Sequence, residues 1–329
     1  MGRITAVAVA LVSLATPAFA DGPPAAERPA DATVDGAIIA AAVAASLAPM
    51  ALRLRGHGLW DTQLLGPVDR VAIGQLSGQA AQLSDLMLAV SIAAPAAYLT
   101  GTTIEDSDGD RLAIYGETLA VDLALVQVAK YLVQRPRPYL YNGSTDALQL
   151  AAAAGDDGWT SFYSSHAAMS FGAAVAGAYL LSTTNAHPIA RAVAWGTGLA
   201  AAAATSNLRV RAGRHFYSDI LLGALIGTGV GYAVPALHAR GKPYSPSSND
   251  IAAAGVGLFG GLVASQLIPM RGGGPADHPR ALMVDQLHVA PLALADGAGL
   301  AVSGRVRSRS WGRVPLSRAR EATTTMTGR

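Results

Sequence analysis

The chain of 329 residues contains no cysteine and little charge. The absence of cysteine excludes disulfides, thiolate nucleophiles and cysteine-ligated metal sites. Charged residues make up 14% of the chain and hydrophobic residues 51%, which excludes a disordered chain because such chains combine low hydrophobicity with high charge. A formal net charge of +2 predicts no nucleic-acid partner. Two classes remain: a helical membrane protein and a soluble helical protein rich in Ala and Gly.

The N-terminus has the features of a secretory signal peptide. Arg3 precedes a short apolar run, and a small-residue cleavage motif ends at Ala20. An uncleaved first transmembrane helix is the alternative, although the apolar run is short for one. We therefore predict a signal peptide over 1–20, a flexible leader over 21–34, and export from the cytoplasm.

Apolar stretches separated by breaker-rich loops dominate the centre of the chain. Most of them lack charge over about the length that a membrane helix needs. They are built on Ala and Gly more than on Leu, Ile and Phe, so each insertion signal is weak. Little strand alternation is present, which predicts an all-α fold, an antiparallel helical bundle. The stretches cover about 37–52, 86–104, 112–133, 167–186, 192–208 and 220–237.

The character of the chain changes after Asn249. One more helix is predicted over 251–267, and short apolar runs between turn residues over 284–306 favour strands. The tail over residues 305–329 contains seven Arg and one Glu, which predicts disorder and an attraction to anionic lipid headgroups. The predicted division is a helical domain over 35–240, an irregular or β-like extension over 250–304 and a basic tail over 305–329.

The first of three polar clusters lies at the end of an apolar helix. Lys130 and Arg137 fall within it, and Pro136 and Pro138 stop the helix because proline lacks an N–H and restricts the residue before it. Two cations are therefore held at a helix end. Interaction with the last helix carbonyls and the helix dipole is the alternative to a binding role.

The second cluster directly precedes the apolar run that begins at Ala167. Ser164 and Ser165 lie there, followed by His166. Serine before an apolar run is a helix N-cap candidate, and capping is the favoured interpretation of this segment taken alone. A helix N-terminus also presents free N–H groups that suit phosphate.

The third cluster opens the last apolar stretch of the helical domain. His215 and Asp219 are four residues apart and share a helix face. A carboxylate one turn along can accept a hydrogen bond from one imidazole nitrogen and leave the other free as a nucleophile. The same step continues through Gly223, Gly227 and Gly231, which predicts the close approach of a neighbouring helix.

Helix polarity connects the three clusters. Lys130 closes one helix, His166 opens the next, Arg209 closes a third and His215 opens a fourth. Alternate helix ends lie at the same end of an antiparallel bundle, so all three clusters are predicted to converge. Cations, imidazoles, hydroxyls and helix amides together suit a phosphate or similar oxyanion, with no metal required.

With these motifs, residues 85–240 resemble the type 2 phosphatidic acid phosphatase and vanadium haloperoxidase superfamily. Lys-x6-Arg-Pro, Ser-x-His and Arg-x5-His-x3-Asp occur in that order and at the family's spacing. The family's second motif is usually Pro-Ser-Gly-His, whereas Tyr163 and Ser165 stand here in place of Pro and Gly. The third usually begins Ser-Arg, and here Leu208 precedes the arginine. No proposed catalytic side chain is lost.

The resemblance implies five phosphate-binding residues and three catalytic ones. His215 would be the nucleophile and form a phosphohistidine, His166 would act as general acid, and Asp219 would orient His215. Lys130, Arg137, Ser164, Ser165 and Arg209 would bind the phosphate oxygens, Ser165 through its backbone amide.

The implied activity is metal-independent hydrolysis of phosphomonoesters or diphosphates, with no cofactor. The apolar helices favour lipid phosphates or isoprenyl diphosphates as substrates. Three alternatives stay open: a broad-specificity soluble periplasmic acid phosphatase, a vanadate-dependent haloperoxidase, and a catalytically weak envelope protein that retains the scaffold.

Membrane association with a periplasm-facing site is favoured. In membrane members of the family the site faces away from the cytoplasm, so the helix ending at Lys130 would run outward. Counting the predicted spans back from this helix puts the N-terminus on the cytoplasmic side of the membrane, whereas a cleaved signal peptide puts it on the outer side. One segment therefore does not span or the signal is retained, and 37–52 is the best candidate to lie outside the count. The positive residues His238, Arg240 and Lys242 fit an inner loop.

Overall fold

The chain forms a bundle of long helices followed by a two-stranded hairpin, which confirms the predicted helical bundle. The computed structural model describes residues 33–51, 59–62, 65–106, 109–270, 283–294 and 297–307. The predicted signal peptide, most of the leader and the tail from residue 308 onward lie outside them. The helices are α1 (Val34–Ala51), α2 (Pro67–Ile73), α3 (Gly78–Asp106), α4 (Asp110–Val133), α5 (Thr145–Ala154), α6 (Ser165–Ser182), α7 (Pro188–Arg211), α8 (Tyr217–Leu237) and α9 (Ser248–Leu267).

Four helices of the described residues have an apolar surface that suits lipid. Helices α3, α4, α8 and α9 are long and apolar enough to cross a membrane by length and composition. Large aliphatic side chains lie exposed on each of them, among them Leu86, Leu132, Leu225 and Val256. Exposed apolar surface on this scale marks contact with a membrane or a partner. Together with the helix lengths, it indicates membrane association.

Helix α6 lies in the interior of this bundle. Every residue from Ala167 to Ser182 except Met169 is buried. The helix contacts α3, α4, α7 and α8. Its Ala, Gly and Ser side chains are small, so the surrounding helices approach it closely.

The predicted close approach along the glycines of α8 is confirmed. A Cβ at Gly223 would lie 2.7 Å from the carbonyl oxygen of Ser164, and one at Gly231 would lie 2.6 Å from another carbonyl oxygen of α6. At Gly227 a Cβ would meet the backbone carbonyl of Ala168. The backbones of α6 and α8 are therefore in direct contact, and no larger side chain fits between them.

The helix predicted over 251–267 is present as α9. Ser247 begins it with a reciprocal cap: its Oγ accepts from the backbone N–H of Asp250 at 3.3 Å, and a carboxylate oxygen of Asp250 accepts from the backbone N–H of Ser247 at 3.0 Å. α9 packs along α7, where Asn207 Nδ2 donates to Ser265 Oγ at 2.9 Å.

The C-terminal hairpin is a separate unit. Strands β1 (Met283–Leu294) and β2 (Gly297–Arg307) pair antiparallel, and the register is irregular between Asp285 and His288.

The helix ends at one end of the bundle meet. Ser165, at the start of α6, contacts Lys130, near the end of α4, while Asp85, near the start of α3, contacts Arg209, near the end of α7. The backbone before α6 bonds to Asp219 in the first turn of α8. We call this the convergent end. Helix α1 packs along α4 and begins at the opposite end.

Candidate active site

A tight turn between α7 and α8 places His215 inside the convergent end. Gly213 has a φ of +70°, a conformation that favours glycine. A Cβ at this position would also meet the carbonyl of Gln75, so glycine is required on two grounds. The turn carries His215 inward, and its side chain is fully buried.

The His215 ring forms a hydrogen bond through one nitrogen and leaves the other nitrogen unbonded among the described residues. Nδ1 lies 2.8 Å from the carbonyl oxygen of Ser161, and a carbonyl only accepts, so Nδ1 carries the proton. Nε2 is buried and has no hydrogen-bond partner among the described residues. Burial, followed by the charges of Arg137, Arg209 and Lys130, lowers the pKa of His215 well below its usual value. The ring is therefore neutral at neutral pH, with the Nε2 lone pair available.

Asp219 supports His215 through an intermediary. Its Oδ2 lies 3.8 Å from His215 Nδ1, which is too long for a hydrogen bond. Instead, Oδ2 accepts from Ser161 Oγ at 2.6 Å and from the backbone N–H of Phe216 at 2.9 Å. The sequence analysis expected Asp219 to orient the ring directly. In the structure Ser161 links the two, because its carbonyl holds the ring and its hydroxyl holds the carboxylate.

Arg135 joins the two carboxylates behind the ring. One guanidinium nitrogen donates to Asp219 Oδ1 at 2.6 Å, and the other donates to Asp69 Oδ2 at 2.9 Å. The guanidinium carbon also lies 4.2 Å from the ring centre of Phe216. Burial alone would raise the pKa of Asp69, but hydrogen bonds from Ser218 and Arg135 outweigh it and lower that pKa. Both terminal nitrogens of Arg135 are therefore paired with carboxylates.

Lys130 and Arg137 are buried next to this network. Their exposed fractions are 8% and 4%. Lys130 Nζ lies 3.3 Å from Ser165 Oγ. Arg137 donates to Asp157 Oδ1 at 2.8 Å and to Thr160 Oγ1 at 3.0 Å. These contacts run to neighbouring segments rather than to the last carbonyls of α4, so helix capping does not account for the two cations.

A carboxylate that the sequence analysis did not assign bridges Arg209 and His166. Asp85 Oδ1 lies 2.8 Å from His166 Nε2 and 3.1 Å from an Arg209 nitrogen. Burial, followed by the charge of Arg209, lowers the pKa of His166 to about 4, while Asp85 acts in the opposite direction. A carboxylate is itself an oxyanion. Asp85 therefore shows that a negative oxygen fits between these two side chains.

Ser164 is the N-cap of α6, as the capping interpretation predicted. Its Oγ accepts from the backbone N–H of Ala167 at 3.3 Å, and its own N–H donates to the carbonyl oxygen of Asp219 at 3.2 Å. Because Oγ acts there as an acceptor, its hydroxyl proton remains available to another oxygen. Capping and anion binding are compatible at this residue.

The comparisons with known proteins identify the segment that carries the three clusters. Residues 111–242 match the family model described as the PAP2 superfamily. This segment is similar to the PAP2 superfamily. The match agrees with the resemblance drawn from the three motifs and supports a phosphatase or a related enzyme. No curated protein gives a significant match to the chain. No solved structure gives one either.

Four residues that contact the candidate site residues were not assigned a role by the sequence analysis. Arg135 was visible as half of an Arg-x-Arg pair, and Ser161 lies three residues before Ser164. Asp69 and Asp85 precede the matched PAP2 segment. Asp85 is a lone charge at the start of an apolar helix, which was the one available signal for it.

Proposed function

We propose that the chain is a cell-envelope phosphatase that hydrolyses lipid-linked phosphomonoesters or diphosphates through a phosphohistidine on His215. The observation that carries the proposal is the bare His215 Nε2, buried among Lys130, Arg137 and Arg209. A nucleophilic nitrogen inside a ring of fixed positive charge suits attack on a phosphoryl group.

The residues divide the reaction into two displacements. His215 Nε2 attacks phosphorus, the N–P bond forms, and the bond from phosphorus to the leaving oxygen breaks as His166 gives that oxygen a proton. A water molecule then attacks phosphorus and loses a proton to His166, the N–P bond breaks, and inorganic phosphate leaves. The three cations neutralise the phosphoryl oxygens in both steps.

The hydrogen bonds behind His215 favour the positive ring that forms on phosphorylation. The Nδ1 proton is held by the Ser161 carbonyl, and the Asp219 carboxylate lies 3.8 Å away. His166 needs a proton although its pKa is about 4 without substrate. Binding of an anionic phosphate beside it favours its charged form, because an opposite charge stabilises imidazolium.

Apolar surface beside the site supports a lipid-linked substrate. Leu86 directly follows Asp85 and is 60% exposed. Leu132 and Leu221, on α4 and α8, lie close in sequence to site residues and are 72% and 63% exposed. An acyl or prenyl chain in the membrane would contact such side chains while its phosphate reaches the cations. Export and a periplasm-facing site are part of the proposal.

The test is phosphate release from phosphatidate, an isoprenyl diphosphate and soluble p-nitrophenyl phosphate by purified protein in detergent. His215→Ala is expected to lower the rate by at least about 10³-fold, since it removes the nucleophile. His187→Ala is the matched control, because His187 is an exposed histidine at the start of α7. Full activity of His215→Ala on every substrate would remove the nucleophile from the proposal.

The intermediate can be trapped separately. In His166→Ala, a ³²P-labelled substrate with a good leaving group is expected to leave an acid-labile, alkali-stable label on the protein. The double variant with His215→Ala is expected to lose that label. Halide oxidation with vanadate in place of phosphate release would indicate a haloperoxidase, and vanadate binding without turnover would indicate a catalytically weak protein.

A further inference from the structure

Another cluster of ionisable side chains lies at the end of the bundle opposite to the active site. It consists of Asp35 at the start of α1, Glu117 on α4 and His238 directly after α8. Asp35 and Glu117 are only 7% and 4% exposed. Glu117 and Lys130 are about 20 Å apart along α4 at the rise of an α-helix. The cluster therefore has no part in the proposed phosphatase reaction.

The hydrogen bonding of His238 directs its second ring nitrogen at two carboxylates. Nδ1 lies 3.0 Å from the carbonyl oxygen of Val234 and so carries the proton. Nε2 lies 3.4 Å from Asp35 Oδ1 and 3.4 Å from Glu117 Oε2. Without a proton on Nε2, three acceptor atoms meet there, an arrangement that requires a cation or an additional proton.

The carboxylates in this cluster are incompletely paired. Within the part of the chain that the structure describes, Asp35 Oδ2 and Glu117 Oε2 are buried and have no hydrogen-bond partner. Leaving a buried charged group unsatisfied is costly. Two negative groups side by side also repel each other. A bound cation would remove both costs, and a divalent one would balance the two negative charges.

The spacing of the cluster matches a small divalent metal. Neighbouring ligand atoms of a tetrahedral zinc site lie about 3.3–3.6 Å apart, given bonds of about 2.0–2.2 Å. Both distances from His238 Nε2 are 3.4 Å, and all three candidate ligand atoms lie within 4.8 Å of one another. The Nδ1 bond to a backbone carbonyl is also the outer contact that metal-bound histidines usually make.

We propose that Asp35, Glu117 and His238 bind one divalent metal ion, zinc being the best fit to the donor set, with water in the fourth position. The ion would fasten the start of α1 to α4 and to the end of α8. Its role would be structural, because the ligands lie far from His215.

The test uses the full chain in detergent, stripped with a chelator and titrated with Zn²⁺ or Co²⁺. One tightly bound equivalent, the absorption bands of tetrahedral Co²⁺ and a rise in the unfolding temperature are expected. Glu117→Gln and Asp35→Asn should each weaken binding by about 10–100-fold or more, since even outer contacts of metal ligands have effects of this size. Asp146→Asn, an exposed carboxylate on α5, should bind as wild type does.

The proposal would be overturned if the wild-type protein bound no equivalent of metal. It would also be overturned if Glu117→Gln and Asp35→Asn bound the metal with unchanged affinity. An imidazolium of His238 paired with both carboxylates would then explain the cluster. If neither variant folds, the wild-type titration decides, because one tetrahedral equivalent supports the site and none refutes it. Phosphate release is not the readout, so this result stands apart from that of the proposed function.

Discussion

Gly227→Ala tests whether α8 is held against α6 by direct backbone contact. In a helix without neighbours the change would stabilise by about 0.5–1 kcal/mol, because alanine is the better helix former. Here the added methyl would lie 2.8 Å from the carbonyl carbon and 2.9 Å from the Cα of Ala168, and it would also meet the carbonyl oxygen. These are backbone atoms that cannot rotate away. Overpacking of this kind costs about 1–3 kcal/mol, and after the gain in helix propensity is subtracted we expect a net loss of about 1 kcal/mol.

Gly229→Ala is the matched control for this prediction, because a Cβ there has no heavy atom within 4 Å. Both variants would be unfolded thermally in the same detergent and assayed for phosphate release. Gly227→Ala is expected to unfold at a lower temperature and to lose activity, since α8 carries Asp219 and directly follows the turn with His215. Gly229→Ala is expected to match or exceed wild type in stability. Equal unfolding temperatures for the two variants would refute the packing argument.

Three further predictions follow from the site and the helix directions. Arg135→Met leaves two buried carboxylates without their cation and should lower the free energy of unfolding by about 3–5 kcal/mol in denaturant titrations. A change within experimental error would contradict the network. Asp85→Asn removes a negative charge that raises the pKa of His166, so the proposed general acid should lose its proton at lower pH. The alkaline limb of the kcat–pH profile should therefore shift to lower pH, and KM should fall because Arg209 is released from Asp85. An alkaline limb at the wild-type pH would contradict this role. Because the chain has no cysteine, Ala152→Cys on α5 and Arg240→Cys after α8 can be probed with an impermeant maleimide, and only the first should react in intact cells. Labelling of Arg240→Cys from outside would reverse the proposed orientation.

The long helices of the bundle could be predicted because apolar stretches of this length have few other stable forms. The short helices α2 and α5 could not. α5 lies within the connection between residues 135 and 159, where prolines and glycines indicated a loop, and its first turn is fixed by a local cap from Ser144. α2 has only seven residues, too few to show helical periodicity.

The candidate site residues could be placed together from helix polarity alone, but their partners could not. Arg135 and Asp69 are separated by 66 residues, and Arg209 and Asp85 by 124. Such pairs depend on how far one helix is shifted and rotated against another, which no local pattern records. The same reason explains the Asp219 geometry: the four-residue step put the carboxylate on the correct face, whereas the bond to Ser161 depends on a different segment.

Helix α6 raises a question of assembly. It begins with His166 in its first turn, yet among the described residues it is not one of the four helices apolar enough to enter lipid by composition. Its Ala, Gly and Ser side chains have weak affinity for hydrocarbon, and its surface is satisfied only by other helices. During synthesis α3 and α4 emerge before it, and α7 and α8 emerge after it. A chain ending near Ser182 would therefore lack half of the partners that hold this helix, so α6 gains its full set of packing contacts only after the helices that follow it have been made.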